Sequence, residues 1–211
     1  MRKLSPLTLL LLLLPLLLSC SEDDAAASYR FDYADMTTTP SGRADKLLLD
    51  DGNTLKIQND YATQRPSQIF RVYAASEQLA TGVRLVNYAE VLTDVPHKFD
   101  ESKVKTDPVD VVSVWHGGRY VNFILGLKTG ASAHKHAFSI IDDGITTDAE
   151  GIKTLHLRLY HNQNGDDMSY TRKVAFSCNI DSQKPLLGSD YKIEVVVNTF
   201  KGNEVFDIAA L

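Results

Sequence analysis

Cysteine is nearly absent from this chain: Cys20 and Cys178 are the only two in 211 residues, so no disulfide framework can carry the fold. There is one tryptophan, Trp115, and no excess of positive charge, with 22 lysines and arginines against 27 acidic residues. A nucleic-acid binder needs a basic face, and none is visible here, so nucleic acid is not an expected partner. No serine sits in a G-x-S-x-G turn and no G-x-x-x-x-G-K loop occurs, which removes the nucleophile elbow and the phosphate-binding loop. No cofactor is expected. Beyond the first twenty residues no apolar stripe of helical period runs for ten residues, which argues against helical bundles and alternating α/β folds.

What is present begins with a leucine block. Arg2 and Lys3 precede Leu9 to Leu14, Pro15, Leu16 to Leu18, Ser19 and Cys20. A basic tip, an apolar run and a small residue before a cysteine form an export signal. The run falls short of the roughly 20 residues a bilayer crossing needs, and Pro15 interrupts it. Leu17-Leu18-Ser19-Cys20 resembles the lipobox of bacterial lipoproteins. That resemblance implies a signal peptide over 1–19, cleavage before Cys20, acylation of its sulfur and amine, and a lipid bilayer as partner. Each buried methylene contributes about 0.8 kcal/mol, so two or three chains anchor firmly where one does not.

Residues 20–28 read as an acidic tether, with Ser21-Glu22-Asp23-Asp24 at its start and no apolar periodicity. The acidic run resembles the signal that carries Bacteroidetes lipoproteins to the outer face of the outer membrane. A periplasm-facing outer-membrane location is the alternative. Losing Arg2 and Lys3 makes the mature chain more acidic than the formal −5 of the full sequence.

From residue 29 onward the pattern is period-two alternation broken by turns. Residues 29–34, Leu47 with Leu49, Leu55 with Ile57, Ile69 to Ala75 and Val83 to Leu92 read as about five strands. Asp50-Asp51-Gly52-Asn53 lies between two of them and signals a hairpin, because glycine accepts the positive φ of a tight turn. Residues 95–107 are poor in apolar side chains and close on Asp107-Pro108; they read as a linker between a first β domain over 29–94 and a second over 108–211. Seven strands are expected in the second domain: Val109 to Trp115, Tyr120 to Leu127, His136 to Ile141, Leu155 to Tyr160, Val174 to Ile180, Ile193 to Val197 and Val205 to Ile208. Such a series reads as an antiparallel β-sandwich. The fold class is all-β.

Several stretches together resemble the NigD-like lipoproteins of Bacteroidetes. They are Leu49 to Leu55, Arg71-Val72-Tyr73, Val91-Leu92-Thr93, Asp107-Pro108-Val109, Tyr120-Val121-Asn122-Phe123, Lys135-His136 and Leu157 to Asn162, in that order behind the lipobox. The resemblance implies an N-terminal domain of the OB type, a small barrel, ahead of the β-sandwich. It also implies a non-enzymatic, membrane-anchored protein with a binding or interaction role at the cell envelope, loosely linked to bacteriocin-related protection. The family's more regular leucine-histidine-asparagine ending is here Leu159-Tyr160-His161-Asn162, and no activity is attached to it.

Candidate chemistry is sparse. Trp115, His116, Arg119 and Tyr120 cluster about one turn, where an aromatic and a guanidinium suit stacking on a sugar or gripping a peptide end. A glycan or a protein is the expected ligand class, and a carbohydrate-binding accessory protein is the alternative function. His134 and His136 alternate along a strand at a spacing two zinc ligands can share, and His156 and His161 join them only if the strands pair. No metal is expected, because no cysteine or acidic pair sits nearby in sequence. Asp142-Asp143-Gly144 and Asn164-Gly165-Asp166-Asp167 lack the spacing of a calcium loop and read as turns. Cys178 falls on an apolar face and reads as core. A hydrolase built from scattered residues such as His136 and Asp143 is the remaining rival.

Overall fold

The computed structural model describes residues 27–131 and 135–209. The export signal, Cys20, most of the acidic tether and His134 lie outside them. Five strands form the first unit: β1 (Tyr29–Thr38), β2 (Ala44–Leu49), β3 (Thr54–Lys56), β4 (Ile69–Leu79) and β5 (Gly82–Glu90). They pair antiparallel in the order β3-β2-β1-β4-β5. A parallel bridge from Ile57 to Val83 then ties the β3 side back to β5. One face of this sheet encloses Ala34, Met36, Leu47, Val72, Ala74 and Leu85. The β2–β3 hairpin turns at 50–53 as its sequence requires: Gly52 has φ +86°, and Leu49 N–H donates to the Asn53 carbonyl at 2.8 Å.

The second unit is a sandwich. One sheet has the order β14-β13-β11-β10-β7 and the other β6-β12-β9-β8. Their strands are β6 (Leu92–Asp94), β7 (Pro96–His97), β8 (Asp110–Gly117), β9 (Tyr120–Thr129), β10 (Ala137–Thr147), β11 (Lys153–Asn162), β12 (Tyr170–Asn179), β13 (Tyr191–Thr199) and β14 (Gly202–Ala209). All seven expected strands are found. Alternate residues of β9, Val121, Phe123, Leu125 and Leu127, face Leu155, Leu157 and Leu159 of β11 across the core, and Phe176, Cys178, Ile193, Val195 and Val197 complete it. Burial pushes the Cys178 thiol up, out of the range in which a thiolate forms.

Four readings from the sequence change. The sandwich is mixed rather than antiparallel: β11 and β13 run parallel, as do β6 with β12 and β7 with β10. The cause is connectivity, since β12 crosses to the opposite sheet between β11 and β13, and a crossover lets neighbours run the same way. The stretch read as linker and its approach are built into the sheets, with β6 in one and β7 in the other. Thr106 bridges to His161, and Asp107 N–H donates to the His161 carbonyl at 2.9 Å. Asp142-Asp143-Gly144 does not end β10; the strand passes through it with a bulge, Gly144 at φ +106°. Asn164 to Asp167 links β11 to β12 between sheets rather than turning a hairpin. A short helix, α1 (Lys184–Leu187), joins β12 to β13.

Candidate functional site

The turn that carries the sequence candidates is the two-residue hairpin between β8 and β9, with Gly117 paired to Tyr120. Gly118 takes the first central position at φ +58°, which glycine alone adopts at little cost. This hairpin is pressed against the end of β2. A side chain at Gly117 would stand 2.6 Å from the Asp50 carboxylate, and one at Gly118 2.9 Å from the Asp50 carbonyl. The pair of glycines thus lets the second unit approach the backbone of the first.

Across that contact the two units share polar groups. Arg71, from the outer face of β4, donates to both Asp50 carboxylate oxygens at 2.6 and 2.7 Å and to the Asn122 Oδ1 of β9 at 3.0 Å. Ser177 of β12 donates to the same Asn122 oxygen at 2.7 Å. The Arg71 guanidinium lies 4.1 Å from the ring centre of Tyr120 and 5.6 Å from that of Tyr33. Beside it, Asp35 of β1 accepts from Arg119 at 2.6 Å and from the Tyr120 hydroxyl at 2.9 Å. Burial, followed by the charge of Asp35, pushes the Tyr120 phenol up to about 12. Arg119 and Tyr120 are therefore occupied in joining the units. Trp115 is half-buried, its ring edge-on to Tyr33 at 5.3 Å.

Beyond Trp115 the outer face of the first sheet carries exposed aromatic rings that no described residue covers. Tyr33 meets Tyr73 at 5.0 Å and Tyr73 stacks on Phe31 at 6.2 Å, so an aromatic row runs outward from the junction. Phe31 is 61% exposed and Tyr73 41%. A cleft of about 510 Å³ opens at the inner end of the row, lined by Asp50, Asp51, Trp115, His116, Gly117 and Gly118. Flat rings offer stacking faces here, and beside them stand two carboxylates with remaining acceptor capacity, Asp50 bonded to Arg71 and Asp51 to Asn53. Sequence reading missed Asp35, Asp50, Arg71 and Asn122. The signal for two of them was present: Arg71 and Asn122 interrupt apolar strands, and a polar residue there must have a partner.

His136 lies elsewhere, at one end of the sandwich just ahead of β10. β10 and β11 do pair, bringing His136 Nδ1 within 2.8 Å of His161 Nε2, while its other nitrogen is 3.2 Å from Asp166. His161 Nδ1 donates to the Asp107 carbonyl at 2.8 Å. Burial, opposed only in part by that bond, lowers the His161 pKa. His156 is not part of this group; it contacts Thr146 and Glu194. Nor does Asp143 meet His136, since it pairs with Arg158 at 2.9 Å. Among the described residues no cluster of three or more His, Cys, Asp or Glu side chains is arranged to hold a metal ion.

The class this architecture defines is a five-stranded sheet unit docked on a mixed β-sandwich. A family described as the NigD-like C-terminal beta sandwich domain matches residues 90–209, more than half of the chain. The chain belongs to the NigD-like family. It is similar to the crystal structure of a NigD-like immunity protein from Bacteroides caccae, at 25% identity and a TM-score of 0.64 over 84% of this chain and 90% of that one. A protein provisionally described as toxin-related, from Parabacteroides distasonis, has 21% identity and a TM-score of 0.72 over 87% and 93%. One provisionally described as a lipoprotein, from Bacteroides fragilis, has 13% identity and a TM-score of 0.61 over 86% and 97%. Identities this low carry the fold alone for the latter two. No match is found among curated proteins.

Proposed function

We propose that this is a non-enzymatic lipoprotein, anchored in the outer membrane through acylated Cys20 and facing the cell exterior, that binds a ligand along the aromatic row at the junction. The lipobox and the similarity to a fold neighbour described as a lipoprotein support the anchor. No helix among the described residues is long and apolar enough to cross a membrane. The reading of two β domains, a first ending near residue 94 and a second from 108, draws support from the family match that begins at residue 90 and from the entry of Leu92 into a sandwich sheet. The OB reading of the first domain is supported by its strand order and by the Ile57–Val83 bridge.

One observation carries the binding reading: Phe31, Tyr73, Tyr33 and Trp115 form a continuous, partly exposed row that ends at a carboxylate-lined cleft. That pattern suits a glycan. Arg119 and Tyr120 serve it indirectly, by holding the two walls together. A glycan array probed with the purified protein tests this, with Phe31→Ala/Tyr73→Ala as control because both rings are exposed and their loss leaves the cores intact. Selective signals that vanish in the double variant are expected, whereas a flat array counts against sugar recognition. A second reading, protection against a bacteriocin-like toxin, is favoured by the immunity protein among the structural neighbours. It predicts that deleting the gene sensitises cells to such a toxin while leaving growth unchanged.

A further inference from the structure

On one flank of the sandwich both sheets stop short. β6 pairs with Phe176, Ser177 and Cys178 only, so residues 170–175 of β12 bond to β9 on one side and, among the described residues, have no strand partner on the other. β7 pairs with Ile140 and Ile141 only, which leaves residues 137–139 of β10 without a strand partner on that side among the described residues. Between these two open edges lies a groove of about 720 Å³. Leu92, Leu127, Phe138 and Val174 give it an apolar lining, and Lys135, Arg172 and Lys173 stand around it.

Edge strands commonly carry lysine simply to discourage pairing. That explanation covers the rim and leaves the floor unexplained, because an edge meant only to repel needs no apolar trough beneath it. No carboxylate among the described residues pairs with Lys135, Arg172 or Lys173, while the groove's one acid, Glu90, is held by Arg65 at 2.7 Å. Met168 and Tyr170, at the start of the open edge, expose 61% and 53% of their surfaces. A second copy of the chain is a poor occupant, because a twofold edge-to-edge contact sets Arg172 and Lys173 against themselves. An extended peptide suits the edge, since unpaired backbone groups at strand spacing are satisfied by another strand.

We propose that this groove binds an extended acidic peptide segment of a partner protein, which continues the line of β6 along residues 170–175 of β12. The bound stretch spans about 20 Å; its alternate side chains enter the groove on the face shared by Arg172 and Val174, and those between them project on the Lys173 face, so acidic side chains on either face meet a cation. The site is separate from the aromatic row, so either proposal can fail without the other.

The test is fluorescence anisotropy with a labelled octapeptide of alternating valine and glutamate, titrated against the purified protein. Saturable binding is expected, weakened about tenfold or more by Arg172→Glu/Lys173→Glu, with an unchanged thermal melt. A matching valine–lysine peptide should not bind the native protein and should bind the charge-reversed one. Hydrogen exchange on the native protein gives a readout free of any variant: amides within residues 170–175 should become protected by the acidic peptide. The proposal is overturned if no saturation is seen by about 1 mM peptide, if the glutamate and lysine peptides bind alike, or if a peptide methylated on alternate backbone nitrogens binds as well as its parent. A stable dimer that excludes the peptide overturns it too.

Discussion

The junction and the far end of the sandwich both bury polar side chains, and they do so by opposite means. At the junction the cations are guanidinium groups: Arg71 forks onto Asp50, and Arg119 holds Asp35. At the sandwich end the corresponding chain runs through imidazoles, Asp166 to His136 to His161 to a backbone carbonyl. A guanidinium stays protonated throughout the physiological range, whereas an imidazole changes charge between pH 5 and 8. The ion pairs that join the two units are therefore indifferent to mild acid, while the far end of the sandwich carries an imidazole that responds to it.

The largest way to break this contrast is Asp50→Ala. It leaves the Arg71 guanidinium buried with only the Asn122 amide oxygen and rings around it, and a loss of about 3–5 kcal/mol in urea unfolding is expected. Arg71→Met should cost less than Asp50→Ala, because it removes the buried charge instead of stranding it. If the two cost the same, the fork is not what holds the units together.

Tyr120→Phe comes next. It removes one donor to the Asp35 carboxylate, worth about 1.5–3 kcal/mol for a bond to a charged group. It also has an alkaline signature. A phenol raised to about 12 in the folded protein stabilises it fully below the ordinary value of 10, and that stability is lost as pH rises through the folded value. Melts above pH 10 should thus fall more steeply in the native protein than in Tyr120→Phe.

The acid side sharpens the other half of the comparison. Burial lowers the pKa of His161, so the folded protein holds that imidazole neutral to lower pH than the unfolded chain does and takes up a proton on unfolding in mild acid. Stability is then complete above the ordinary value of 6.5 and declines as pH falls below it. His161→Gln should flatten part of that decline in thermal melts between pH 7.5 and 5, and Asp50→Asn should not. The smallest effect is expected at Arg43→Ala, whose partner Asp60 is exposed; about 0–1 kcal/mol is lost, and added salt should erase it.

Much of the fold could be read from the chain because strand alternation is local. Leu155, Leu157 and Leu159 point one way whatever else the protein does, and Asp50 to Asn53 turns for reasons held within four residues. Pairing is not local. Nothing in the run from Val174 to Ile180 says that β12 leaves its predecessor's sheet, so parallel neighbours were illegible. The short strands β6 and β7 escaped notice because Thr93-Asp94 and Pro96-His97 lack apolar alternation and are held by backbone bonds. The candidate site was half legible. Trp115, Arg119 and Tyr120 fall within six residues of sequence and do lie on one hairpin, but Asp35, Asp50 and Arg71 arrive from another unit, brought by folding alone.

The stitch formed by β6 and β7 has a mechanical consequence. The only covalent route from the first unit into the sandwich passes through Leu92–Asp94 and Pro96–His97, each lying parallel to a strand of a different sheet. A tug arriving from the amino-terminal side runs along those short ribbons, so their hydrogen bonds are loaded in shear, several at once, and are not unzipped singly. A junction so placed resists traction better than its modest length suggests.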